Sequence, residues 1–135
     1  MRSTSLLQSS AIGIVAGIIG TTIVWFIGDA VSGPLMANGP DGELTDVLAA
    51  APGFATLIAG LVGVLVAFLI RNRGNAVQLF TIITVVVLVL YGIWAFSQAE
   101  NFATGLWLNV MHIVAAVCIT GMLTRWMQAR QGVAV

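Results

Sequence analysis

Four apolar runs, each long enough to cross a lipid bilayer as a helix, leave this chain few ways to fold. They cover about 11–30, 52–70, 76–96 and 103–127. At a rise of 1.5 Å per residue, about 20 residues span the roughly 30 Å of a hydrocarbon core. Lipid cannot satisfy a backbone N–H or C=O, so a lone apolar run has to close its hydrogen bonds internally, as a helix. Composition agrees. Of the 135 residues, 59% are hydrophobic and 7% charged, against about 25% charged in soluble domains. The expected fold is all-α, a four-helix transmembrane bundle in one domain covering 1–135, with no separate soluble module. In the first run Gly28 and Ala30 imitate a signal-peptide cleavage site, but the apolar part is longer than a signal core. It is read as the first span.

The connection 31–51 is the longest polar stretch. It has turn signals at Gly33-Pro34 and across Asn38-Gly39-Pro40-Asp41-Gly42. A structureless loop of that length is uncommon, so a short surface helix is predicted over 44–50, capping the bundle. Pro52 suits the first turn of the second span. The tract Arg71-Asn72-Arg73-Gly74-Asn75 is a tight turn, and 97–102 reverses the chain again.

Alternating spans sort the charges by membrane face. Arg2, Arg71, Arg73, Arg125 and Arg130 fall on one side, and Asp29, Asp41, Glu43, Asp46 and Glu100 on the other. Adding or dropping one span would mix them. The positive-inside rule then predicts both termini and the second turn in the cytoplasm, with the 31–51 loop outside. Trp25, Trp94 and Trp107 fall near the outer boundary and Trp126 near the inner one, where amphipathic rings prefer to sit. Net charge is zero, which provides no basic field for nucleic acid. The partners implied are the lipid bilayer and other membrane subunits or further copies of the chain.

The fourth span carries the only histidine, His112. At 100° per residue, Gly105, Asn109, His112, Ala116 and Thr120 share an arc of about 80°. A polar and small-residue stripe on an apolar helix should face protein rather than lipid. His112 lies five residues, about 7 Å of helix, inside the Trp107 level. A neutral imidazole offers one donor and one acceptor, and both need partners at that depth. Asn109 and His112 are therefore the candidate polar pocket, either as an interhelical staple or as a site for a polar headgroup or a proton relay.

Small residues mark the expected packing faces: Gly13, Gly17 and Gly20 on the first span, Ala59 and Gly63 on the second, and Ala116 on the fourth. They let helix backbones approach closely, within the bundle or against a partner. Asp29, one turn past Trp25, reads as an interfacial carboxylate, and Asp41, Glu43 and Asp46 as a solvated loop. The single cysteine, Cys118, rules out an internal disulfide and projects away from His112. No GxSxG, HExxH, phosphate-loop, CxxCH or DxxD pattern occurs. No catalytic residue, metal or cofactor is assigned, and a haem or zinc would need ligands from a second chain.

The segment Leu106-Trp107-Leu108-Asn109-Val110-Met111-His112-Ile113-Val114-Ala115-Ala116 is similar to the fourth helix of a family of small bacterial four-helix membrane proteins, a domain of unknown function. The long loop, the proline opening helix 2 and the Arg-rich turn also resemble that family over nearly the whole chain. The resemblance implies the fold, a bacterial inner-membrane location and attention to His112, but lends no activity. The function expected is that of a non-catalytic accessory or structural subunit of a larger membrane assembly. The alternatives are an oligomeric carrier or channel-like protein, or a membrane-embedded lipid-binding protein or enzyme using His112 and Asn109.

Overall fold

A computed structural model describes residues 5–39 and 41–132. Four helices, α1 (Leu6–Ser32), α2 (Ala50–Ile70), α3 (Ala76–Gln98) and α4 (Phe102–Gly132), hold most of them. All four are long and apolar enough to cross a membrane. The chain is a small multi-pass membrane protein of all-α class.

Two helices outrun the hydropathy. α1 begins at Leu6 rather than near residue 11, because Ser5 and Gln8 close a capping box. The Ser5 hydroxyl accepts from the Gln8 N–H at 3.2 Å, and the Gln8 side-chain carbonyl accepts from the Ser5 N–H at 3.2 Å. These bonds satisfy backbone donors that a helix start leaves unpaired. α4 is capped by Asn101, whose side-chain oxygen accepts from the Thr104 N–H at 2.9 Å, and it continues past Met127 to Gly132.

The predicted surface helix over 44–50 does not form. The chain instead makes a hairpin, β1 (Met36–Asn38) antiparallel to β2 (Leu44–Asp46). The turn signals have the stronger influence here. Gly42 adopts φ +81°, the Gly39 N–H donates to Glu43 O at 2.8 Å, and the Gly42 N–H donates to Gly39 O at 3.0 Å. A glycine with positive φ between two short extended runs belongs to hairpin chemistry. Gly33, at φ +80°, likewise ends α1. The hairpin is docked. Ala37 bridges Ala99, the Glu100 N–H donates to Met36 O at 3.1 Å, and the Val47 N–H donates to Leu35 O at 2.8 Å. Leu35 is 1% exposed.

α4 is the central helix. It packs most extensively on α1 and next on α3, while α2 lies mainly on α1. The contact between α1 and α4 is backbone-close. A Cβ at Gly13 would stand 3.2 Å from the Cys118 carbonyl oxygen and 3.3 Å from the Ile119 Cα. One end of the bundle is sealed by Ala67, Ala76, Phe80, Ile119, Leu123, Trp126 and Met127. Gln131 reaches the Arg73 carbonyl there at 3.3 Å. The hairpin and the α3–α4 turn occupy the opposite end. Among the described residues, arginines and acids stay on separate ends of the bundle; Arg2 lies outside those residues.

Candidate functional site

The polar stripe of α4 lies against α3. A Cβ on Gly92 would stand 2.5 Å from the Asn109 Oδ1, and a Cβ on Gly105 would overlap the Phe96 ring. Thr120 donates to the Thr84 hydroxyl at 3.3 Å. Both N–H groups of the Asn109 side chain are engaged: the nitrogen donates to Gly92 O at 3.2 Å and to Gly105 O at 2.9 Å. One carbonyl belongs to α3 and the other to its own helix, so Asn109 staples α3 to α4.

His112 behaves differently. Its Nδ1 lies 2.6 Å from the Leu108 carbonyl oxygen. A carbonyl only accepts, so Nδ1 carries a proton, and in the neutral ring Nε2 is then the acceptor. Nε2 has no hydrogen-bond partner among the described residues. The imidazole sits beside the Tyr91 ring, centroids 6.0 Å apart, and Tyr91 is followed at 6.1 Å by Trp94. In sequence Tyr91 is only one more aromatic near the outer boundary, and its placement next to His112 is what marks it.

Helix geometry shows where this cluster points. His112 and Ile119 are seven residues apart and within about 20° of each other around α4. Ile119 is the residue that meets α2, its Cγ2 lying 3.5 Å from the Cβ position of Gly63. Tyr91 and Phe80 likewise share one side of α3, and the Phe80 ring lies 3.9 Å from the Cβ position of Gly63. Both side chains therefore look toward α2. The first half of α2 leans away, onto α1. Gly53 meets Ile18, Thr56 shares a 3.3 Å hydrogen bond with Thr21, and Gly60 meets Ile14. Of the neighbouring helices, α2 and α3 touch least. α2 and α3 therefore pack on each other only sparsely, and His112 and Tyr91 lie toward the hairpin on the sides of α4 and α3 that turn to α2.

The small residues divide into three groups. Gly13 and Gly17 are buried where α1 meets α2 and α4, and a Cβ on Gly17 would stand 3.0 Å from the Thr56 methyl and 3.8 Å from the Ala115 Cα. Gly20 meets Val114, Gly63 meets Ile119 and Leu123, and Ala116 is half-buried on the α3-facing stripe. Ala59 is exposed, and its neighbour Gly60 makes the close approach instead. The sequence could not choose between adjacent small residues because the crossing angle of α2 on α1 decides which of them faces inward.

A second feature lies under the hairpin. A cavity of about 290 Å³ is lined by Trp25 and Asp29 of α1, Pro34 and Leu35 after it, and Asp46, Val47, Leu48 and Ala49 before α2. The Trp25 indole N–H donates to Val47 O at 2.7 Å, which fixes the ring as one wall. Asp29 and Asp46, twenty-nine and forty-six residues into the chain, meet only because the hairpin folds back. No group of three or more His, Cys, Asp or Glu side chains able to hold a metal ion occurs among the described residues.

No curated protein and no solved structure matches this chain. A family of unknown function, DUF6069, matches residues 1–129. The four apolar helices and their single intramembrane histidine are thus the structure of one of its members, and the chain belongs to that family.

Proposed function

We propose that this protein is a non-catalytic accessory or structural subunit of a larger assembly in a bacterial inner membrane, with both termini and the Arg71–Arg73 turn in the cytoplasm. The observation that carries the subunit reading is the bare Nε2 of His112 beside Tyr91. An unsatisfied polar atom at hydrocarbon depth is costly. A donor supplied by a partner's transmembrane helix relieves that cost and makes His112 the contact point. The small-residue faces of α1 are occupied inside the chain, so they do not compete for this role. Lipid binding at the same acceptor is the alternative, and Asn109 would add no donor to it because both its N–H groups are already bonded.

His112→Phe tests the reading. Phenylalanine fills the space but accepts no hydrogen bond, so gentle pull-down followed by mass spectrometry should lose the partner subunit while the melting temperature in detergent changes little. Retention of the same partner by the variant overturns the subunit reading. Loss of a co-purifying lipid with no protein partner in either sample supports the alternative.

The orientation is tested separately. Asn38→Cys, Asn72→Cys and Gln128→Cys, each in a Cys118→Ala background, place thiols at exposed positions on the two ends. A membrane-impermeant reagent on intact cells should label Asn38→Cys alone. Labelling of Asn72→Cys and Gln128→Cys without Asn38→Cys reverses the topology.

A further inference from the structure

We propose that the cavity under the hairpin binds an organic ammonium group, either the headgroup of an ethanolamine lipid or a free soluble amine. Its place and its lining both point that way. Its lining includes Trp25, one of the aromatics expected at the outer boundary, the depth at which lipid headgroups lie. At about 290 Å³ it is near the small end of ligand pockets and far larger than a bare ion requires. Leu35, Val47 and Leu48 supply apolar wall, and the held indole of Trp25 supplies an aromatic one. Asp29, half-buried, and Asp46, exposed, bring two carboxylates to the same space.

Neither carboxylate has an ion-pair or hydrogen-bond partner among the described residues. The described residues offer none nearby: Glu100, Asp41 and Glu43 are the other charges at this end, and Arg71, Arg73, Arg125 and Arg130 lie at the far one. The two carboxylates are thus open to a cation from outside. A dehydrated divalent ion would need more oxygen ligands than two carboxylates provide. An ammonium group with carbon substituents suits the mixture better, because it pairs with carboxylates, lies over an indole face and keeps its carbons against the apolar wall. The site is independent of His112 and Tyr91, and it stands whether or not the chain works as a subunit.

The test uses the full chain in mild detergent with equimolar phosphatidylethanolamine and phosphatidylglycerol, read by native mass spectrometry. Retained phosphatidylethanolamine should exceed phosphatidylglycerol about fivefold, the scale of one partly shielded ion pair. Asp29→Asn and Asp46→Asn should bring the ratio to near one, while Asp41→Asn, a loop acid outside the cavity lining, keeps it. Asp46 is exposed on β2, so its variant retains the fold even where Asp29→Asn does not. Ethanolamine chloride separates the two sources. Displacement of the lipid means that the headgroup alone is recognised. Lipid that is not displaced means that acyl contacts contribute. A rise in wild-type melting temperature without any lipid preference, absent in Asp46→Asn, means a soluble amine. Absence of both the lipid preference and the thermal shift overturns the proposal, as does an equal loss in Asp41→Asn.

Discussion

Gly13→Leu should be among the most damaging single substitutions in the spans. The new side chain would start 3.2 Å from the Cys118 carbonyl oxygen, 3.2 Å from the Met122 Cβ and 3.3 Å from the Ile119 Cα. Two of those atoms are backbone and cannot rotate away, so α1 has to lift off α4 to admit three further carbons. Overpacking costs 1–3 kcal/mol and more where nothing yields, and about 3 kcal/mol is expected here. Thermal unfolding in detergent reads it directly. Gly121→Leu is the control, since nothing lies within 4 Å of its Cβ position, and it should leave stability unchanged or slightly raised through better helix propensity. If Gly13→Leu keeps wild-type stability but changes the size of the assembly, the face belongs to a partner and the α1–α4 contact described above is wrong.

Gly28→Leu should act locally and strongly on the hairpin. Its Cβ would meet the Trp107 ring at 2.9 Å and the Leu35 Cδ1 at 3.3 Å. Trp107 is held by its indole N–H donating to the Ser32 hydroxyl at 2.9 Å, so Leu35 is the side chain free to leave. Leu35 is also the plug of the hairpin, and its carbonyl accepts the Val47 N–H. Displacing it should cost about 2 kcal/mol of local stability, a roughly 30-fold rise in the open population. Protease cleavage within 36–46, measured on protein in bilayer discs, should accelerate by that factor while the helices melt almost normally. Unchanged cleavage would mean that the hairpin is held by its bridge to the α3–α4 turn rather than by Leu35.

The spans were legible because hydrocarbon imposes one solution on an apolar run, and the ends of α2 and α3 were legible because Pro52, the Arg71–Asn75 tract and Ser97 punctuate them. The start of α1 was missed although its signal was present: Ser5 and Gln8 spell a capping box, but hydropathy weighs Gln8, Ser9 and Ser10 as polar and stops short. The hairpin was missed for a related reason. Asn38-Gly39 and Asp41-Gly42 are strong turn signals, while the strands they join are three residues each, too short to show alternation. Of the candidate site, Asn109 and His112 were visible as a shared stripe, and sequence could not separate their roles. That separation needs Gly92, whose missing side chain lets Asn109 reach the α3 carbonyl. The pairing of Asp29 with Asp46 depends wholly on how the hairpin folds back, and no local pattern encodes it.

The close fit of α1 on α4 also sets an order of assembly. α1 ends at Ser32 and α4 begins at Phe102, so roughly 70 residues must be synthesised before the partner appears. At about 5–20 residues per second that takes about 4–14 s. During that interval the Gly13 and Gly17 face stands in the bilayer without its final neighbour, with only α2 emerging in time to shelter part of it. The nascent chain is therefore most open to mispairing before its last helix enters the membrane, and truncation or stalled translation ahead of α4 leaves the most adhesive surface of the protein uncovered.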